Sequence, residues 1–188
     1  MLSVPGKGPE KTDCVASRIR VMFPHARGPL VVHRLDMETS GLIVLALDES
    51  AQRDLSSQFE NRVVEKSYVA LLGGSPLAQG SGVVDLPLRP DIENRPVQIV
   101  DHVHGRPAKT GWSVLAHEID RTRVRFTPVT GRTHQLRVHA AAGIGRPIVG
   151  DALYGGEPAE RLMLHAAELS FLEPGTRRRV MYASQVPF

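Results

Sequence analysis

Three polar segments stand out against an apolar background, and each carries side chains able to do acid, base or anion chemistry. The first is HRLDMETSG, His33 to Gly41, set between two hydrophobic runs. Turns favour Asp and Ser because these side chains bond their own backbone, so an acid here has an ordinary structural reading. Asp36, however, follows directly on an apolar strand-like run, where a carboxylate can be partly buried and kept ionised by a nearby cation. The second is EKSYVALL, in which Lys66, Tyr68 and Ala70 share one strand face and Val69 takes the other. Taken alone, a strand tyrosine such as Tyr68 is core or sheet-face material. The third is TGRTHQLRVH, Thr130 to His139, which packs Arg132, His134, Gln135, Arg137 and His139 behind a glycine. A helix starting at Thr133 offers free N–H groups and a positive dipole end to a phosphate or carboxylate. Arg132 and Arg137 stand about 140° apart around such a helix, so they serve different partners.

Other chemistries fit poorly. His134 and His139 are five residues apart, whereas two metal ligands on one helical face need a spacing of about three or four. A single cysteine, Cys14, gives no cluster. Glycine-rich GxGxxG and Walker-type phosphate loops are missing, as is the GxSxG elbow of serine hydrolases. What remains is carboxylate chemistry assisted by arginine, with no cofactor and no metal. That leaves a glycosidic-bond enzyme, an anion-binding protein or a structural cluster.

Short elements must position these side chains. The opening segment to Gly8 reads as a loop, and Asp13 can cap a short helix with Val15, Ile19 and Met22 on its apolar face. LVVHRLD and TSGLIVLALD read as two β-type runs split by a polar turn. Asp48 caps the next helix, whose buried stripe is Ala51, Leu55 and Phe59. Strands are expected at Ser67 to Leu72, Val83 to Leu88, Val97 to Val100, Thr110 to Leu115 and Arg123 to Val129. THQLRVHAAAG reads as a helix from Thr133, closed by Gly143. Shorter strands follow around Ile148, Leu162 to Phe171 and Val180 to Ala183. Gly73 to Gly82 and Leu88 to Pro96 look like connecting loops rather than linkers. Many short strands with two or three helices indicate an α+β fold, a mixed, mainly antiparallel sheet with a few flanking helices.

The bulk numbers set bounds without choosing among these chemistries. A chain of 188 residues suits one well-cored domain, and 41% hydrophobic with 23% charged residues is ordinary for a soluble protein. No run reaches the ~18 apolar residues of a membrane span, and the N-terminus lacks the apolar core of a signal peptide. With one cysteine, the expectation is a reducing, cytoplasmic setting. The net charge of +3 is mild, but RTRVR sets Arg121, Arg123 and Arg125 on one strand face, with Thr122, Val124 and Phe126 on the other. Arg177, Arg178 and Arg179 form a second cluster. Such stripes can neutralise phosphates and equally can be solvated faces.

Taken in order, HRLDMETSG, the K-x-Y of Lys66 to Tyr68, GRTHQLRVH, and PIVGDALYG (Pro147 to Gly155) resemble the motif set of RluA-type pseudouridine synthases. The first and third are long and specific; K-x-Y and G-D-x-x-Y-G are weak alone. The resemblance covers roughly the whole chain. It includes LSVPG near the start and DLPL followed by NRP (Asp85 to Pro96), features closest to the RluA branch acting on a tRNA anticodon stem-loop and a similar 23S ribosomal RNA hairpin. It implies a single catalytic domain over residues 1–188, shortened by an N-terminal strand that relatives carry before a turn of Asn-Lys-Pro type. The lack of an S4-like module before the catalytic part also fits that branch.

The resemblance implies catalytic roles for Asp36, Tyr68 and Arg137. Asp36 is the carboxylate that either attacks C1′ of the target uridine or removes a ribose proton to give a glycal. Arg137 matches the arginine that pairs with this aspartate, lowering its pKa and fixing its rotamer. Tyr68 packs on the uracil; with a reference pKa near 10 it is a poor base unless perturbed. Substrate-binding roles fall to Arg34, which enters the RNA as the base swings out, to Leu136 as the apolar floor beneath the base, and to Arg132 and Thr133 facing phosphate. The GDALYG segment reads as a wall of the cleft rather than a chemical participant. RNA is the implied partner, with no membrane, and the enzyme is expected to be a monomer. The competing reading is a non-catalytic RNA-binding or RNA-chaperone domain on the same scaffold, against which the intact Asp36, Tyr68 and Arg137 argue.

Overall fold

The computed structural model describes residues 1–6, 12–78 and 80–188. Gly8, the expected end of the opening loop, lies outside the described residues. Contacts sort the chain into two units: Met1–Lys66 with Ala166–Gln185, and Ser67–His165 with Val186–Phe188.

The first unit holds helices α1 (Val15–Met22) and α2 (Glu49–Glu60). Cys14, not Asp13, caps α1: its Sγ accepts from Ser17 N, while Ser17 Oγ accepts from Cys14 N. Asp13 turns outward instead to an exposed pair with Arg18. The inward residue of α1 is Ala16, whereas Val21 and Met22 are exposed. Eight residues give barely two turns, so the cap fixes the helix's rotation more than an apolar stripe does. In α2 the sequence expectation stands. Asp48 Oδ1 accepts from Ser50 N and Ala51 N, and Leu55, with Ala51 and Phe59, packs against Ala46, Val64, Leu169 and Phe171. Gln58 is a buried clamp, donating to Leu172 O (2.7 Å) and accepting from Leu172 N (2.8 Å).

The two apolar runs flanking the HRLD turn are extended but barely paired. Among the described residues they meet at the bridge Val31↔Leu45, and the two-residue strand β1 (Ser40–Gly41) lies beside β8 (Leu164–Leu172) instead. Strand β2 (Glu65–Gly73) and strand β8 (Leu164–Leu172) each run through a boundary between the units. In the first unit, β8 pairs antiparallel with β9 (Arg179–Ala183) in the register Glu168↔Ala183 to Leu172↔Arg179.

The second unit is built on antiparallel pairs linking β2, β7 (Arg121–Pro128), β6 (Lys109–Glu118) and β3 (Ser81–Asp85), in that order. Tyr68 lies opposite Phe126, and a bulge between Val114 and Ala116 shifts the β6–β7 register. Strands β4 (Leu88–Pro90) and β5 (Gln98–Val100) form a separate two-stranded ribbon; β5 falls where a strand is expected, whereas β4 opens the stretch that reads as loop. The core joins Ala70, Leu72, Val124, Phe126, Leu136, Ala140, Ile148, Leu162 and Leu164. The expected faces of β7 hold, with Thr122, Val124 and Phe126 buried. Its arginines are engaged within the unit: Arg121 faces Glu157, and Arg123 binds Glu118 and the Phe188 carbonyl. In the first unit Arg177 pairs with Asp54, Arg178 with Glu173 and Arg179 with Glu65. Acids both near and far in sequence thus meet arginines of both clusters.

The expected helix from Thr133 to Gly143 differs at both ends. Helix α3 is only Gln135–Val138 and continues as a π-helical turn, His139–Ile144, ending at Gly145 in the left-handed region. Its start is delayed because the Gln135 side chain folds back, its Oε1 accepting from Thr130 Oγ1 (2.7 Å) and Arg132 N (2.9 Å). His134 sits at φ 52°, so Gly131 to His134 form a turn before the helix. Across the described residues the fold is α+β with mainly antiparallel pairing. No helix among them is long and apolar enough to cross a membrane.

Candidate active site

Asp36 stands half-buried in a turn of the first unit, closed by Thr39 N–H donating to Asp36 O (3.0 Å). Main-chain contacts hold the residues around it. Ser3 Oγ donates to Leu35 O (2.9 Å) and lies 3.1 Å from Leu35 N, one residue before the carboxylate. Gly41 ends the motif at φ 109°, and a Cβ there would overlap the Ala166 backbone. Only glycine meets both demands, and the reward is Leu42 N–H donating to Ala166 O (3.0 Å). His33 is the other pin: its Nε2 accepts from Val44 N (3.0 Å), and its ring stacks on Phe59 at 4.5 Å. Burial, helped by the charge of Lys66, lowers the His33 pKa to about 4, which keeps the accepting nitrogen unprotonated at neutral pH. Burial also lowers the pKa of Lys66. Arg34 is exposed.

In the second unit, Tyr68 packs partly buried on the core beside Ala70 and Phe126. Val69 and Leu71 are buried too, so β2 is covered on both faces rather than amphipathic. Arg137 projects from α3 and is 2% exposed at its side chain. Its Nε donates to Asp151 Oδ2 (2.8 Å) and its Nη2 to Asp151 Oδ1 (2.6 Å), against a carboxylate that is fully buried. The guanidinium carbon lies 5.2 Å from the centre of the Tyr154 ring. The Tyr154 hydroxyl accepts from Gln98 N (2.9 Å) and lies 2.7 Å from His134 Nδ1.

The remaining expected residues are dispersed in role. Leu136 is buried in the same core as Phe126. Arg132 is half-buried, its Nε donating to Pro107 O (3.1 Å). Arg132 and Arg137 serve different partners, but Arg132 precedes the helix, so the angular spacing behind that expectation does not apply. Thr133 is exposed and precedes the left-handed His134. The helix-terminus argument for Thr133 therefore does not hold, because α3 begins two residues later and is a single turn. Sequence reasoning missed Asp151 as the partner of Arg137, and with it Tyr154 and Gln135. The signal was in GDALYG, where an acid and an aromatic stand three apart between glycines. Among the described residues, no group of three His, Cys, Asp or Glu side chains is arranged to hold a metal ion.

Asp36 is thus a half-buried carboxylate on a backbone-held turn of the first unit, while the fork-bound Arg137 and the sheet residue Tyr68 belong to the second. Comparison with known proteins bears on which chemistry these residues serve. The family model for RNA pseudouridylate synthase matches residues 1–142. Proteins named dual-specificity RNA pseudouridine synthase RluA are similar over nearly the whole chain. The one from Yersinia pestis is 46% identical over 93% of this chain and 84% of its own length. That from Vibrio vulnificus is 48% identical over 93% and 71%, and that from Escherichia coli K12 is 44% identical over 100% and 86%. Among solved structures, human RNA pseudouridylate synthase domain containing 1 aligns with a TM-score of 0.78 at 30% identity, covering 100% of this chain and 84% of that one.

Proposed function

Because this chain belongs to the RNA pseudouridylate synthase family and isomerises uridine in RNA to pseudouridine, we propose that Asp36 is the carboxylate acting at the ribose of the flipped-out nucleotide. The reaction breaks the N1–C1′ bond, turns the uracil and rejoins it through C5; the C5 proton is lost and N1 regains one. The base must leave the helical stack for this. As in a retaining glycosidase, an ionised carboxylate meets positive charge developing at the anomeric carbon. Asp36 either attacks C1′ or removes a ribose proton, and a 2′-deuterated uridine separates the routes by its isotope effect. Tyr68 packs on the uracil, Leu136 supplies apolar surface beneath it, and Arg34 enters the RNA in the base's place. Arg137 is the cation that the family resemblance ties to the aspartate, and Arg132 meets phosphate.

The substrates in this reading are structured hairpins, a tRNA anticodon stem-loop and a 23S ribosomal RNA hairpin. Relatives named as dual-specificity enzymes, 44–48% identical over most of this chain, support that pairing. The enzyme acts as a cytoplasmic monomer. An isomerisation changes no oxidation level, so the reading needs no redox cofactor. The observation that carries the residue assignment is Asp36 on its backbone-held turn, inside one of the two long, specific motifs that resemble the family's. The test is Asp36→Asn, assayed by tritium release from 5-tritiated uridine in both hairpins. A rate that falls by more than about a thousandfold on each supports the assignment; a near wild-type rate overturns it.

A further inference from the structure

The G-D-x-x-Y-G segment has no role in the reading above, yet it binds the most buried charge in the second unit. Gly150 lies at φ 81°, and a Cβ there would overlap Arg161 O. A Cβ on Gly156 would overlap Ile148 O. Between these close approaches the chain turns tightly, with Asp151 N donating to Ile148 O (3.1 Å) and Gly156 N to Asp151 O (2.8 Å). The turn presents Asp151 and Tyr154 to the same guanidinium. Two parallel bonds from a fork to a carboxylate set its rotation as well as its distance. The Tyr154 ring adds its negative face. The Tyr154 hydroxyl accepts from Gln98 N and lies 2.7 Å from His134 Nδ1, so polar contacts fix the outer end of its ring.

We propose that Asp151 and Tyr154 are positioning residues for the isomerisation: they fix the plane of Arg137 and act through it, without touching the RNA. This rests on the reading that Arg137 serves the reaction. A buried arginine without a counter-charge is strongly disfavoured, so some acid is needed for the fold alone. Orientation is a further demand, and it is separable by experiment.

The test is single-turnover tritium release with RNA affinity and thermal melting measured alongside. Asp151→Asn keeps the shape and removes the charge; it is expected to slow isomerisation about a hundredfold while RNA affinity changes less than about threefold. In an Arg137→Lys background, where no fork exists to orient, the same change is expected to cost less than about fivefold. An equal loss in both backgrounds means Asp151 does not act through Arg137 and overturns the proposal. Should Asp151→Asn fail to fold, Tyr154 carries the question. Tyr154→Phe keeps the ring face and is expected to lose only about threefold, whereas Tyr154→Leu loses at least about tenfold at similar melting temperature. Equal rates for the two overturn the proposal. Arg137→Lys alone, if fully active, sinks the premise about Arg137 rather than the positioning inference.

Discussion

The turn that carries Asp36 and the helix that carries Arg137 differ in what fixes them. Around Asp36 the holding contacts are to main chain: Ser3 with Leu35, His33 with Val44, and Leu42 with Ala166 O. Around Arg137 they are charge and ring contacts between side chains, at a site with 2% exposure. A main-chain cradle lets a carboxylate stay half-exposed and ready to meet a substrate, because nothing but geometry depends on its charge. A side-chain cradle makes the fold itself depend on the charge. One residue can therefore be lost with little cost to stability, and the other cannot.

The strongest way to break this comparison is to exchange the expected costs. Asp151→Ala leaves Arg137 buried without a counter-charge and is expected to destabilise the protein by about 3–5 kcal/mol. Asp36→Asn, at a half-exposed turn position, should change stability by no more than about 0.5 kcal/mol while abolishing turnover. Urea unfolding of the two variants side by side decides it; similar midpoints would mean that the two cradles do not differ in kind. Arg137→Met sharpens the same point. Its motif place alone suggests a folded, inactive variant, but the buried Asp151 would lose its partner. A loss of about 3 kcal/mol together with lost activity is therefore expected, read by melting and tritium release.

On the Asp36 side, the cradle breaks at the backbone. Gly41→Ala meets both a positive φ and the Ala166 main chain, and is expected to cost about 2 kcal/mol or more. Its effect on activity should exceed its effect on RNA affinity, since the turn moves and no RNA contact is removed. Activity and melting temperature equal to wild type would show that Gly41 does not set the turn.

How much of this was legible in sequence follows from how local each feature is. The α2 cap at Asp48 and the stripe Ala51, Leu55 and Phe59 depend on neighbours within one or two turns, and the period shows them. The alternate faces of β7 follow equally from a period of two. The α1 cap was misplaced by one residue because cysteine rarely caps, and the start of α3 was misplaced because Gln135 folds back on Thr130 and Arg132. The pairing of Arg177 with Asp54 could not be seen, since the two lie 123 residues apart in sequence. The candidate site residues stand in motifs that are readable from sequence. Their burial, and the choice of Asp151 by Arg137, are tertiary facts that no spacing encodes.

The smallest effect concerns the acid side of the Asp36 turn. His33 must be neutral for Nε2 to accept from Val44 N, and burial, with Lys66 nearby, lowers its pKa from an ordinary 6.5 to about 4. A folded pKa below the unfolded value means the unfolded chain takes up the proton first, so the contribution is fully present above about 6.5 and is lost as pH falls toward 4. Asp48 also has a lowered pKa, from the N–H groups of Ala51 and Ser50. Its contribution is lost only below the ordinary carboxylate value of 3.8, so the two windows do not overlap. Between pH 6.5 and 4.5 the wild type should lose stability relative to His33→Gln, by about 2 kcal/mol at most. Melting curves of both proteins at several pH values in that range provide the measurement. Parallel curves would mean that His33 does not hold the turn through its neutral ring, and the main-chain cradle of Asp36 would then rest on Ser3 and Gly41 alone.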